Sequence, residues 1–161
     1  MTYTGDVTPG GRTDVRTLPG LTIRKMSIST MHNNVYLVTC NATGEQLLID
    51  AADDPQRCLA LVTEGTGRLD HLVTTHRHWD HTRALVDVAA ATGARTWAGD
   101  LDAPALPLAP DVLLRDGDTV RFGALANVEP SAGLLAFGAV VVLTMLASSS
   151  FDPRLIWATD D

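Results

Sequence analysis

The chain has 161 residues, 45% of them hydrophobic, which suffices for one globular domain with a core and is too short for two ordinary ones. Twelve Lys and Arg against 19 Asp and Glu leave a net charge of -7, and the basic residues are scattered rather than striped, so no nucleic-acid partner is expected. Cys40 and Cys58 lie in apolar patterns without the close paired spacing of zinc ribbons or redox motifs, and they read as buried thiols of a cytoplasmic protein.

Residues 1–19 are rich in Gly, Thr and Asp and lack the basic start and apolar run of a secretory signal, so they read as a loose lead-in. Two strands follow, 22–29 and 34–40, where β-branched and aromatic residues cluster between Asn and Gly punctuation. A turn at Asn41-Ala42-Thr43-Gly44 leads into a third strand, 46–50. Asp53 or Asp54 can cap a helix that starts at Pro55, presents Cys58, Leu61 and Val62 on one face and stops at Gly65. Leu69 to Thr75 reads as a strand, and Asp80 precedes a second helix with Leu85, Val88 and Ala89 on one face and Gly93 at its end. Arg95 to Ala98 restarts as a strand. The proline-bearing stretch 101–110 must be a loop, and 113–122 reads as a hairpin with Asp116-Gly117 at its tip. A meander feeding alternating strands and helices predicts a layered α/β domain over 20–126. After Ala126 the character changes: 131–150 is uncharged and dominated by Ala, Leu, Val and Ser, so 127–161 stands apart as a divergent apolar segment.

Chemistry concentrates at His76-Arg77-His78-Trp79-Asp80-His81, where four potential ligands fall within six residues at the carboxyl end of an apolar strand. His76 and His78 are two apart, so in an extended chain both imidazoles point to one side and can share an ion. Asp80 and His81 lie where the chain turns toward the helix, free to reach a second one. Imidazole and carboxylate suit zinc, iron or manganese, and few ligands per ion leave a position for an acidified water. Burying three imidazoles and a carboxylate together without a cation would be costly. His32 and His71, each isolated, read instead as surface or hydrogen-bonded groups.

This run resembles the HxHxDH signature of the metallo-β-lactamase superfamily, and the preceding strand, the following helix and the upstream Leu47-Leu48-Ile49-Asp50 resemble its setting. The resemblance covers about 20–126 and implies an αββα sandwich of which this chain supplies the N-terminal half. It implies one or two zinc ions, the first on His76 and His78 and the second on Asp80 and His81, with Asp80 also near the nucleophilic water as the catalytic carboxylate. Asp50 would be a structural or near-site residue rather than a ligand. The implied activity is metal-dependent hydrolysis of an ester, thioester or amide in a small-molecule substrate by metal-bound hydroxide, and the general look is similar to hydroxyacylglutathione hydrolases.

Members of that superfamily complete the site with a downstream histidine in a Pro-Gly-His-Thr-like turn, a bridging aspartate and a last histidine, whereas this chain has no histidine after His81. Ala132, in Glu129-Pro130-Ser131-Ala132-Gly133, stands where the first of these ligands would fall, and Asp160 where the bridging aspartate would. The alternative expectation is therefore a catalytically inactive, metal-binding remnant, its frame or gene end disrupted near residue 126, with one sheet exposing its inner face. The uncharged stretch 132–147 approaches the length of a membrane span, but Ala, Gly and Ser dilute it and no Lys/Arg cluster flanks it, so membrane anchorage is the weaker reading. Oligomeric state is not legible.

Overall fold

The computed structural model describes residues 3–130 and 141–142, with side chains through residue 124. Its framework is a seven-stranded sheet in strict chain order: β1 (Asp14–Thr17), β2 (Leu21–Ile28), β3 (Asn33–Cys40), β4 (Gln46–Ile49), β5 (His71–Thr74), β6 (Arg95–Gly99) and β7 (Val112–Leu114). β1 to β4 run antiparallel, and β4 to β7 are parallel neighbours. Parallel strands need crossovers, and two of these are the helices α1 (Pro55–Glu64) and α2 (Leu85–Thr92). A smaller antiparallel sheet has the order β10 (Val141–Val142), β9 (Leu125–Pro130), β8 (Val120–Phe122).

Local chemistry sets the helix ends. The Asp54 carboxylate accepts the Arg57 amide at 3.1 Å with Pro55 in the first turn, and Gly93 closes α2 at φ +65°. Cys58, Leu61 and Val62 of α1 and Leu85 and Val88 of α2 bury against Met26, Val35, Leu37, Leu48 and Leu72 of the sheet. This core lies under one face, as the periodicity predicts. Burial pushes the Cys58 thiol up to about 12, and both cysteines are free and buried.

The structure departs from the sequence reading in four places. Part of the lead-in is ordered, since Asp14–Thr17 adds an edge strand to β2 and the Asp14 carboxylate draws in the Gly5 amide at 2.7 Å. The 113–122 hairpin is not one. A turn forms at Arg115–Asp118, but β7 pairs with β6 while β8 pairs with β9, so the two arms serve different sheets. Asp80 precedes α2 as read, but a separate 3-10 turn, Trp79–His81, which the reading did not include, holds it, and α2 begins at Leu85 without a side-chain cap. The inner face is not bare either. Leu21, Ile23, Val38, Cys40, Leu47, Ile49 and Val73 cluster with Val120 and Phe122 of β8, and each is at most 4% exposed. Among the described residues no helix is long and apolar enough to cross a membrane. The readings placed on Ala132, Asp160 and the stretch 132–147 lie outside the described residues.

Candidate metal centre

The histidine run occupies the edge of the sheet where β4 and β5 end, and where the antiparallel β3 begins. A sheet edge offers exposed side chains on a rigid base, because the strands behind it are locked by their ladders. Three segments converge there: Asp50 after β4, Thr75 through His81 after β5, and Asn33 at the start of β3.

Asp50 is the hub. It is 3% exposed and sits at φ +59°, a left-handed conformation that is strained for a residue with a side chain. Its Oδ1 accepts the Thr75 amide at 2.8 Å, and its Oδ2 accepts the Thr75 hydroxyl at 2.7 Å and the His81 Nδ1–H at 2.9 Å. The carboxylate thereby accepts three hydrogen bonds, and the His81 tautomer is set with the Nε2 lone pair pointing away from it. That nitrogen lies 3.6 Å from Asp80 Oδ2, so Asp80 and His81 bring an oxygen and a nitrogen together.

His76 is buried and His78 exposed, and their rings meet edge to face with centroids 4.6 Å apart. Because the Thr75 hydroxyl donates to Asp50, it accepts from His76 Nδ1 at 3.0 Å, which leaves the Nε2 lone pair of His76 facing His78 Nδ1 at 3.0 Å. The His76 and His81 rings pack at 4.1 Å, joining the two pairs into one cluster. All four sequence-predicted residues are thus in one place.

The tightest convergence of potential ligand atoms is a different trio, Asp50, His76 and His81, within 4.8 Å of one another. Asp50 already accepts from three donors, which suits it to orienting His81. Electrostatics fit a cation held by imidazole and carboxylate. Burial and the neighbouring His81 and His78 push the His76 pKa down, which keeps its lone pair available. Burial acts against charge on His81 too, but the Asp50 hydrogen bond and the charges of Asp50 and Asp80 outweigh it and raise its pKa. Burial would raise Asp80, yet the Asn33 hydrogen bond and the nearby His81 and His76 hold its carboxyl below the usual range. His76 Nε2 and His78 Nδ1 lie 3.0 Å apart in a hydrogen bond that a cation could replace, and the Asp80 carboxylate sits beside His81, so the residues present fit a divalent cation.

Three contributors were not legible in the sequence. Asn33 donates its side-chain amide to Asp80 Oδ2 at 2.8 Å from 47 residues away. Asp102, after β6, accepts the Arg77 amide at 3.2 Å and ties the histidine loop to the next crossover. Thr75 couples Asp50 to His76. Only Thr75 had a signal, its place directly before the motif.

Comparison with known proteins finds relatives over part of the chain. The chain is 39% identical over 93 residues to hydroxyacylglutathione hydrolase from Jannaschia sp. (58% of this chain, 36% of the relative). It is also 39% identical over 96 residues to that of Fuscovulum blasticum (60% and 37%). The chain therefore spans little more than a third of these relatives' length. Among solved structures, ETHE1 from Myxococcus xanthus matches with 31% identity and TM-score 0.55 over 64% of this chain and 44% of that one. The BLEG-1 B3 metallo-beta-lactamase matches in fold with 13% identity and TM-score 0.57, over 64% and 57%. Residues 119–160 match a different family, described as PqiA, paraquat-inducible protein A.

Proposed function

We propose, for a chain whose seven-stranded sheet and histidine run belong to the metallo-β-lactamase-fold superfamily, a metal-dependent hydrolase of a small-molecule ester, thioester or amide. The observation that carries this reading is the convergence of His76, His78, Asp80 and His81 at one sheet edge with ring nitrogens of two of them facing each other at 3.0 Å. His76 and His78 would hold one zinc ion, Asp80 and His81 a second. When bound, such ions supply Lewis acidity and make water a nucleophile near neutral pH. The chain's own residues supply the rest. Asp50 keeps a proton on His81 Nδ1, Thr75 keeps one on His76 Nδ1, and Asp80 offers an oxygen that can accept a proton beside the reacting water. The hydroxyacylglutathione hydrolases favour a thioester among the three substrate classes, and the two free cysteines suit a reducing cytoplasm.

A second reading has its own observation. The sequence from residue 119 resembles another family, and residues 119–161 carry none of the downstream histidines expected of this superfamily. Under that reading the chain is an inactive metal-binding remnant.

Elemental analysis of the purified full chain beside His76→Ala, with hydroxyacylglutathione thioester hydrolysis assayed on both, separates the two. One or two zinc ions per chain with turnover that His76→Ala abolishes supports the hydrolase. Zinc without turnover supports the remnant, and a chain that takes up no metal overturns both.

A further inference from the structure

The turn between β2 and β3 carries an arrangement that the proposed metal chemistry does not by itself require. Ser29 and His32 both adopt left-handed conformations, at φ +65° and +56°, although neither is glycine. Strain of this kind persists where the surroundings over-determine it, and here it brings three polar groups into a directed chain. The Met31 amide donates to Ser29 Oγ at 3.1 Å, and the Ser29 hydroxyl donates to Asn33 Oδ1 at 2.7 Å. The Asn33 Nδ2–H then donates to Asp80 Oδ2 at 2.8 Å. A carboxylate can only accept and an amide oxygen can only accept, so the orientation of the Asn33 side chain is fixed at both ends.

The same Asn33 nitrogen lies 3.3 Å from His81 Nε2. With the His81 Nδ1–H given to Asp50, Nε2 is the acceptor in that contact, so in the metal-free chain one amide group steadies both members of the Asp80 and His81 pair, and a cation on Nε2 would replace that contact and leave Asn33 on Asp80. Asn33 is itself 7% exposed, and no water needs to mediate the contact.

We propose that Asn33, braced by Ser29, is a positioning residue that presets Asp80 and His81 for cation capture. This rests on the metal reading above, and it concerns the pre-arrangement of one ligand pair rather than the existence of the site. Asn33 acts through Asp80 and His81 and supplies no ligand of its own. Removal of groups that orient ligands typically lowers metal affinity by about 10–100-fold.

The test is zinc titration of the metal-stripped full chain with a competing chromophoric chelator, for the wild type, Asn33→Ala, Asn33→Asp and Ser29→Ala. The expected result is a weakening of roughly 10-fold or more for Asn33→Ala and Asn33→Asp, and a smaller weakening for Ser29→Ala, following the order of the chain. Melting of the metal-stripped proteins is read in parallel. Asn33→Ala loses buried hydrogen bonds in either case and should melt lower, so the two roles part on zinc: a positioning role weakens zinc binding by the folded protein as well, whereas a purely structural role lowers the midpoint and leaves that affinity unchanged. Unchanged or tighter zinc binding by Asn33→Ala overturns the inference while leaving the metal site standing. Tighter binding by Asn33→Asp also overturns it, because residue 33 would then sit where a ligand itself belongs. A wild type that binds no zinc instead sinks the metal reading beneath it.

Discussion

The parallel strands have two polar edges, and they differ in where their hydrogen bonds go. At the edge where β4 and β5 begin, Gln46 is fully buried. Its amide donates to the carbonyls of Val62 (3.1 Å) and Arg68 (2.7 Å) and accepts from the Thr66 amide and the Thr39 hydroxyl, both at 3.0 Å. Asp70 accepts the Gln46 backbone N–H, so the bonds of Gln46 close on the scaffold, clasping the end of α1 to the sheet. At the opposite edge the bonds of Asp50, Thr75 and Asn33 end on imidazoles and a carboxylate whose remaining nitrogens and oxygen face one another. Buried polarity alone does not mark a functional edge. The destination of the bonds does: backbone for structure, chemically competent side chains for a site.

That contrast is broken most severely at Gln46. Gln46→Leu takes their Gln46 partner from the Arg68 carbonyl, the Thr66 amide and the Thr39 hydroxyl, while the Val62 carbonyl keeps the Gly65 and Gly67 amides, and each orphaned group costs on the order of 1–3 kcal/mol. A loss of roughly 3 kcal/mol or more in urea unfolding is expected, with zinc affinity of the folded fraction unchanged. Comparable loss of zinc affinity would mean that the two edges are not independent.

Asp50→Ala should act on both quantities. The Thr75 amide and hydroxyl and His81 Nδ1 lose their acceptor, at a cost of about 2–3 kcal/mol, and alanine at φ +59° remains strained, so nothing offsets the loss unless the backbone relaxes. Zinc affinity should fall at least about 10-fold, since His81 is no longer held in one tautomer. Urea unfolding and chelator competition on one preparation check this. A variant destabilised but with intact zinc affinity would show that Asp50 belongs with Gln46 as a purely structural group.

The sequence made the two edges unequally legible. His76, His78, Asp80 and His81 are within six residues, so their convergence follows from local geometry, and the alternation and capping signals placed β2 to β6 and α1 closely. Asn33 and Asp102 act across 47 and 25 residues, through strand register and loop paths that periodicity does not encode. The 113–122 misreading has the same origin. The Asp116-Gly117 turn is correct locally, and what no local pattern contains is the pairing of Val112–Leu114 with β6 and of β8 with β9.

The smallest expected effect lies at the structural edge, on His71, and it asks whether a histidine there behaves as scaffold. Trp97 donates its indole N–H to His71 Nδ1 at 3.2 Å, which requires that nitrogen to be an acceptor and favours the neutral ring. Burial lowers the His71 pKa, and the Arg95 guanidinium adds to this, while Asp70 and Glu45 pull the other way without reversing it. The folded state therefore resists a proton that the unfolded chain takes up at its ordinary value. Stability from this group is present above about pH 6.5 and declines as pH falls through that value toward the lowered folded-state pKa. His71→Gln keeps a polar group of similar reach and cannot titrate, so between about pH 7.5 and 5.5 the wild type should lose about a degree or two more in Tm than the variant. The histidines and carboxylates of the opposite edge are common to both proteins and cancel in the difference. Equal acid slopes would show that the Trp97 contact does not hold His71 neutral, and a steeper slope in the variant would mean that the folded protein stabilises the protonated ring.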